Sequence, residues 1–227
     1  MLMKRMIVSA LAALMTVMAF AQEEPLYTSP SGKLTFDVAA HVGFGYHVTK
    51  SSAFTPAFSS ELFANLVKLG VYPTEHLGLE LGVDIEGNFF SSKTSSFIVD
   101  GQKKIQAAPF VSLDGGSIDK TRGGFNYLTF NAPVLLKGIF GKVQLGVGAE
   151  ASLNCCAETY YRYRQDNKRL QMEMTDADVN LFTYGLIATL SYDGTGIFFK
   201  YYPNGSQILP DGSVDLNFVT VGIAFGF

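Results

Sequence analysis

Apolar and polar residues alternate with a period of two over several long stretches of the chain. Residues 34–46 do so without a break, and the pattern returns at residues 77–89 and 143–153. Successive side chains of a β-strand point to opposite faces, so each stretch predicts a strand with one apolar and one polar face. Soluble strands have about five or six residues, whereas a tilted membrane-spanning strand needs about nine to eleven. The length of these stretches therefore favours membrane-spanning strands.

Five further stretches complete a predicted set of eight strands, at residues 58–71, 125–137, 179–192, 197–202 and 214–227. Each has an apolar face, but the alternation within it is less regular. An even number of antiparallel strands is what an outer-membrane barrel requires.

Several residues in these five stretches predict local irregularities. In the first of them Phe63 is predicted to face outward, while Leu62 and Leu66 are predicted to face inward with the polar residues. Pro133 cannot donate a hydrogen bond to a strand ladder, so it predicts an edge or a bulge. A change of phase near Phe218 predicts a bulge in the last strand.

The links between the strands alternate in length. The short ones are residues 73–76, 138–142 and 193–195, and the long, polar ones are residues 48–57, 91–124, 158–177 and 204–213. Bacterial outer-membrane barrels show this asymmetry, with short periplasmic turns and long external loops. In the longest link, residues 96–99 and 106–112 predict a short external hairpin.

These patterns together predict an all-β fold, a transmembrane antiparallel up-and-down β-barrel of about eight strands. The barrel domain is assigned to residues 34–227, preceded by a short periplasmic segment at residues 22–33. No apolar run in residues 22–227 is long enough for a membrane-spanning helix, so a membrane would be crossed by strands.

The first 21 residues predict a cleaved signal peptide. Lys4 and Arg5 precede an apolar run at residues 6–20, and the run ends in the small-x-small sequence of Ala19 and Ala21. Cleavage is predicted between Ala21 and Gln22. A retained membrane anchor is the alternative, but about fifteen apolar residues fall short of the roughly twenty that span a bilayer. The chain is therefore predicted to be exported.

Charge argues against nucleic acid as a partner. The full chain has 17 basic and 20 acidic side chains, and loss of Lys4 and Arg5 with the signal leaves 15 basic against 20 acidic. A nucleic-acid-binding domain is typically basic. Outer-membrane lipid is the partner that the strand pattern predicts instead.

The end of the chain carries a further barrel feature. Apolar residues alternate with small ones up to Phe227, and this resembles the terminal-phenylalanine signature that barrels present to their assembly machinery. Phe and Tyr also gather at predicted strand ends, where they would form the interfacial girdles, since the chain has no Trp.

The fourth and fifth predicted strands resemble a known family. Residues 127–137, which read YLTFNAPVLLK, followed by Gly141-Lys142 and residues 145–148, look like the central hairpin of the PorT-like outer-membrane β-barrel domain family. The resemblance implies a bacterial outer-membrane barrel whose function is mostly uncharacterised, linked in some members to secretion or gliding machinery. It implies no catalytic residue.

The polar faces of the predicted strands supply a set of candidate residues for the barrel interior: Asp37, His41, Lys68, Glu80, Asp84, Glu86, Tyr127, Asn131, Lys137, Glu150 and Lys200. An eight-stranded barrel is just wide enough inside for side chains to fill it. The set therefore predicts a hydrogen-bonded, ion-paired plug, and a narrow path for small solutes or ions remains the alternative.

No enzyme is predicted. The histidines are His41, His47 and His76, and none lies in a recognisable catalytic motif. Asp37 and His41 share a strand face but are about 13 Å apart by rise alone, which is too far for direct contact. Cys155 and Cys156 are adjacent and have no third cysteine to pair with, and no metal-ligand spacing is present. No cofactor or metal site is expected.

One predicted external loop could make contacts. Tyr160, Tyr161, Arg162, Tyr163 and Arg164 make it basic and aromatic. It could bind acidic surface sugars or a protein of the envelope or secretion machinery, because loops on rigid scaffolds often carry function. The alternative is a solvated loop whose tyrosines extend the barrel rim.

Three functional classes follow from the sequence. The first is an outer-membrane barrel with a structural or interaction role, and the second is a narrow porin-like pore. The third is a soluble periplasmic barrel that carries a ligand against an inward-facing apolar surface. The alternating link lengths and Phe227 favour the first class, because a carrier gives no reason for either.

Overall fold

The computed structural model describes residues 27–38, 41–110, 119–165, 168–203, 208–211 and 213–226. The predicted cleavage site at Ala19, Ala21 and Gln22 lies outside the described residues, and so does Phe227. No helix within the described residues is both long enough and apolar enough to cross a membrane.

The described residues form strands joined by turns and irregular links. The strands are β1 (Tyr27–Thr28), β2 (Leu34–Val38), β3 (Val42–Lys50), β4 (Ser60–Thr74), β5 (Leu77–Ser92), β6 (Ser96–Val99), β7 (Ile105–Ala108), β8 (Asp119–Phe140), β9 (Val143–Gln165), β10 (Lys168–Ala177), β11 (Phe182–Tyr192), β12 (Thr195–Tyr201) and β13 (Asn217–Phe225).

The main sheet closes on itself as a barrel. Its antiparallel pairs run in the order β4, β3, β13, β12, β11, β9, β8 and β5, and β5 returns to pair with β4. Strands β2 and β3 both pair with β4, so they occupy one position in the ring. Within the described residues the ring therefore has eight strand positions, which confirms the predicted all-β, up-and-down barrel.

The links alternate in length as predicted. Residues 75–76, 141–142 and 193–194 form tight turns at one end, where Gly141, Asp193 and Gly194 adopt the positive φ that two-residue hairpins favour. The long links all leave from the other end. We call these the short-turn end and the long-link end.

Two long links differ in detail from the prediction. The small hairpin of the longest link is present as β6 paired with β7, separate from the barrel sheet, but β7 ends at Ala108, before the end of the predicted residues 106–112. Residues 158–177, predicted as a loop, instead continue the strand ladder, because β9 runs on to Gln165 and β10 pairs back along it. The aromatic and alternating residues there suit a strand, and this property outweighs their polarity.

The strand predicted at residues 58–71 contains a bulge, and this corrects its predicted faces. Asn65 pairs with Asp84 and Val67 with Val83, which leaves Leu66 without a partner on β5. The extra residue reverses the phase, so Phe63 points into the barrel and Leu62 outward, the opposite of the prediction.

The irregularities predicted in two other strands are wrong. Near Pro133 the ladder between β5 and β8 is interrupted, but its register is the same on both sides, so there is no bulge. Strand β13 pairs with β3 in one continuous register that includes Phe218, so the predicted bulge is absent from this pairing. Phe218 points inward together with Thr220, which accounts for the apparent change of phase.

Outside the barrel, large apolar side chains form a continuous exposed band. Its members include Leu79, Leu81, Val83, Phe130, Val134, Leu136, Leu145, Val147, Leu186, Leu190, Ile197, Phe199, Val221 and Ile223. The alternate positions of the same strands are buried and mostly polar or glycine. The barrel thus has its apolar face outside and its polar face inside.

An apolar cluster covers the interior at the long-link end. Phe90 and Phe125 stack at 4.8 Å between ring centroids, and Phe97 of the β6–β7 hairpin contacts Phe125 edge-on. Residues of two other links, among them Phe54 and Leu216, belong to the same buried cluster. The links are therefore packed into the barrel mouth.

Candidate functional site

The middle of the barrel holds one lysine among three glutamates. Nζ of Lys200 on β12 lies 3.1 Å from Glu61 on β4 and 3.8 Å from Glu150 on β9, and it also donates to Glu86 on β5. All four side chains are buried. We call this group the Lys200 cluster, and it connects four strands across the interior.

Each glutamate of the Lys200 cluster has a different set of partners. Glu86 accepts hydrogen bonds from Asn88 at 2.7 Å and Asn131 at 2.9 Å. Glu150 accepts one from the hydroxyl of Tyr202 at 3.0 Å. Glu61 accepts no hydrogen bond from a described group, so its burial is compensated by the Lys200 ion pair.

Two aromatic rings complete the surroundings of Lys200. Its Nζ lies 5.1 Å from the ring centroid of Phe63 and 5.7 Å from that of Phe198, and these two rings meet edge-to-face. A cation close to ring faces is stabilised by the negative charge density there. Gly43 and Gly222 make room for the rings, since a Cβ at either position would overlap one of them.

A second polar group lies toward the short-turn end. Glu80 forms an ion pair with Lys137 at 3.2 Å and accepts a hydrogen bond from the hydroxyl of Tyr72 at 2.7 Å. Lys137 also donates to Gln144 at 3.5 Å. Next to this group, Asp84 accepts from the amide of Asn65 at 2.7 Å, and that amide also bonds to the Val67 carbonyl beyond the bulge.

Neutral side chains continue the network toward the long-link end. Asn88 donates to Thr129 at 3.2 Å, Thr129 donates to Asn154 at 3.1 Å, and Asn154 donates to Thr183 at 3.0 Å. On the opposite wall, Nδ1 of His47 is 2.8 Å from the hydroxyl of Thr220. The His47 ring stacks on Phe90, where the polar network meets the apolar cluster.

The structure places most of the predicted interior residues inside the barrel. Those buried there are Glu80, Asp84, Glu86, Tyr127, Asn131, Lys137, Glu150 and Lys200. Asp37, His41 and Lys68 are only half-buried, toward the short-turn end. Asp37 and Lys68 are partners in the strand register, and Asp37 accepts a hydrogen bond from the backbone of Val38.

Sequence reasoning missed several interior residues, among them Glu61, Phe63, His47 and Tyr202. The bulge at Leu66 reversed the phase of β4, which placed Glu61 and Phe63 on the wrong face. His47 could have been found, because the alternation of residues 34–46 continues through it. Tyr202 follows Lys200 at the spacing of an inward-facing residue.

The predicted loop residues lie on the β9 extension. Tyr160 and Tyr163 are buried, Tyr161 and Arg162 are half-buried, and Arg164 is exposed. The cysteines are free, with Cys156 exposed at a φ of 57°. Among the described residues, no group of three or more His, Cys, Asp or Glu side chains is placed to hold a metal ion.

No protein-family model matches the chain, and no curated protein is similar to it. The resemblance to the PorT-like family therefore stays a prediction.

Solved structures give distant matches. The attachment invasion locus protein Ail of Yersinia pestis is 13% identical, with a TM-score of 0.34 over 86% of this chain and 98% of that one. Neisserial surface protein A is 12% identical, with a TM-score of 0.34 over 82% and 95%. With scores this low, the fold assignment rests on the strand pairing of the chain itself.

Replacing Lys200 with methionine should destabilise the barrel by about 3–5 kcal/mol, because the buried carboxylates would lose the cation that they share. The free energy of unfolding can be measured by urea titration of the purified protein in detergent, with the folded fraction read from its mobility on unheated gels.

Lys142→Met is the matched control. Its ion pair with Asp193 is mostly exposed, so its loss should cost only about 0–1 kcal/mol. Adding Glu86→Gln to Lys200→Met should recover part of the lost stability, because one unpaired carboxylate is removed. An unfolding free energy for Lys200→Met equal to that of Lys142→Met would contradict the assigned role.

Proposed function

We propose that this chain is an integral β-barrel of a bacterial outer membrane, with a structural or interaction role and an interior closed by polar side chains. The observation that carries the proposal is the distribution of side chains across the barrel wall. Large apolar residues cover the outside, and an ion-paired network fills the inside. A barrel in water would have the opposite distribution.

The height of the apolar band supports a membrane location. On β11 the outward face runs from Phe182 to Tyr192, and both of these rings are more than 60% exposed. Ten residue steps cover about 33 Å along a strand, or about 25 Å at a tilt near 40°. This agrees with the band of about 25 Å, bounded by aromatic residues, that outer-membrane barrels present to lipid.

The interior supports closure. The Lys200 cluster connects four strands at mid-height, and the Phe90–Phe125 cluster covers the interior at the long-link end. A path for ions would require both groups to move. A ligand carrier would need an apolar interior, and the Lys200 cluster occupies that space instead.

The proposal includes export and assembly. Residues 1–21 would act as the signal peptide, and the last strand with Phe227 would be recognised by the barrel assembly machinery. The resemblance to the PorT-like family supports an envelope or secretion component as a partner. No enzymatic activity is proposed, since the interior polar groups are engaged with one another.

Membrane location and orientation can be tested by fractionation and cysteine labelling. In a Cys155→Ser, Cys156→Ser background, Gln102→Cys places a thiol in the β6–β7 turn and Glu75→Cys places one in a short turn. An impermeant maleimide on intact cells should label only Gln102→Cys, because the long links would face outward. Both variants should be labelled after lysis, which is the control for access.

The outer-membrane fraction should contain the protein, and its mass should be that of a chain that begins at Gln22. Labelling of Glu75→Cys alone would show that the short turns face outward, the opposite of the proposed orientation. Recovery as a soluble periplasmic protein would contradict the proposal and would direct attention to the carrier class.

Conductance across a planar bilayer tests closure. The reconstituted protein should produce no sustained steps, because side chains occupy the interior. Gel mobility must first show that the barrel is folded in the lipid, and a known porin at equal load serves as the positive control. Sustained, voltage-independent steps would contradict the closed interior and establish the pore.

A further inference from the structure

Strands β8, β9 and β10 extend beyond the barrel wall as a three-stranded sheet. In its register Arg122 of β8 is opposite Arg162 of β9, and Arg164 of β9 is opposite Arg169 of β10. Register partners lie on the same face of a sheet, and so do residues two apart in one strand. The four arginines therefore share one face.

These four arginines line a concavity of about 360 Å³. A volume of this size falls within the about 300–1,000 Å³ that is usual for small-ligand sites. We call it the arginine site. It lies on the extension, away from the Lys200 cluster.

The four arginines of the site outnumber the two acidic residues nearest to them in register. Like charges directly opposite each other across a strand pair are destabilising, and this sheet has two such pairs. None of the ion pairs between described side chains includes any of the four arginines. The acidic residues nearest in register are Asp119, opposite Arg164, and Glu173, whose carboxylate accepts from Gln171.

Neutral partners hold two of the guanidinium groups in position. Nε of Arg162 donates to Gln171 at 2.7 Å, and the same guanidinium lies 5.0 Å from the ring centroid of Tyr160. Nη2 of Arg122 donates to the hydroxyl of Ser91 at 3.2 Å. These contacts orient the groups without neutralising them, so the site is preorganised for an anion.

Tyr163 belongs to the other face of the extension. It lies between Arg162 and Arg164 in β9, and successive side chains of a strand point to opposite faces. Its ring stacks with that of Tyr161, which is on the same face, and only 2% of Tyr163 is exposed. Tyr163 therefore provides a position at which the extension can be changed without changing the arginine face.

We propose that the arginine site binds a saccharide that carries several phosphate or sulfate monoesters. Guanidinium groups bind such esters through paired hydrogen bonds, and several arginines in one site match several esters on one ligand.

Distance from the apolar band favours a saccharide over a lipid head group. Arg162 is nine residues beyond Leu153, the last exposed apolar residue of the band on β9. Nine steps correspond to about 30 Å along the strand, or about 20 Å above the band at the usual tilt. Phosphates at the membrane surface would not reach the site, whereas a saccharide chain would. This step alone rests on the proposed outer-membrane orientation.

Binding can be measured by calorimetry on the purified full-length mature protein in detergent, so its result does not depend on the orientation. The probes are a heparin-derived tetrasaccharide and the deacylated phosphorylated saccharide of lipopolysaccharide. Arg162→Gln with Arg164→Gln should raise the Kd at least tenfold and reduce its dependence on salt. Tyr163→Phe should leave the Kd unchanged, since its side chain lies on the face of the sheet opposite to the arginines.

Lys103→Gln with Lys104→Gln is the matched control, because it removes the same charge from the β6–β7 turn and should leave the Kd unchanged. Binding of the heparin fragment alone would indicate a ligand on another cell. Binding of the lipopolysaccharide saccharide alone would indicate a ligand in the protein's own membrane. Binding of both would show that the site recognises the ester groups that the two probes share.

Four results would overturn the proposal. These are no binding of either probe, equal losses in the arginine and lysine double variants, equal affinity for inorganic phosphate, or tighter binding of a single-stranded oligonucleotide. Gel mobility of the unheated variants confirms that each one is folded. Cysteine labelling on cells reports the orientation separately, so failure of the site and failure of the proposed function can be distinguished.

Discussion

Every charged side chain that points into a small barrel needs a partner there, and the rest of this structure depends on that constraint. Alternate residues of each strand point inward, and an eight-stranded ring leaves only enough space for their side chains. Buried charges without partners are costly. Lys200 meets this requirement by binding Glu61, Glu86 and Glu150, which come from three other strands. The cluster thus stabilises the closed ring and fills it at the same time.

The outside and the ends of the barrel follow from the same arrangement. With polar residues inside, the apolar residues of the barrel strands face outward and form a band that lipid would cover favourably. At one end two-residue turns close the hairpins, while at the other the links pack Phe54, Phe97 and Leu216 over the mouth. The extension of β8 and β9 beyond the mouth carries the arginine site. The wall is thus suited to a membrane, and the long-link end is suited to recognition.

Strict alternation made much of the fold predictable, and its interruptions explain the rest. Residues 77–89 of β5 and 143–153 of β9 have unbroken patterns, and their polar residues lie inside as expected. The bulge at Leu66 changed the phase of β4 with no sequence signal such as glycine, so Glu61 was missed although it binds Lys200. The extension of β9 was missed because its arginines suggested a loop. Which inward residues bind one another depends on register across the ring, and a single sequence does not contain that information.

Fluorescence quenching of single tryptophans by brominated lipid tests the inside-out arrangement most directly, because the chain has no tryptophan of its own. Leu136 is exposed on the outer face of β8, and its neighbour Leu135 is buried on the inner face. Leu136→Trp should be strongly quenched by lipids brominated on their acyl chains, and Leu135→Trp should not. Strong quenching of Leu135→Trp with none of Leu136→Trp would contradict a barrel with its apolar face in lipid.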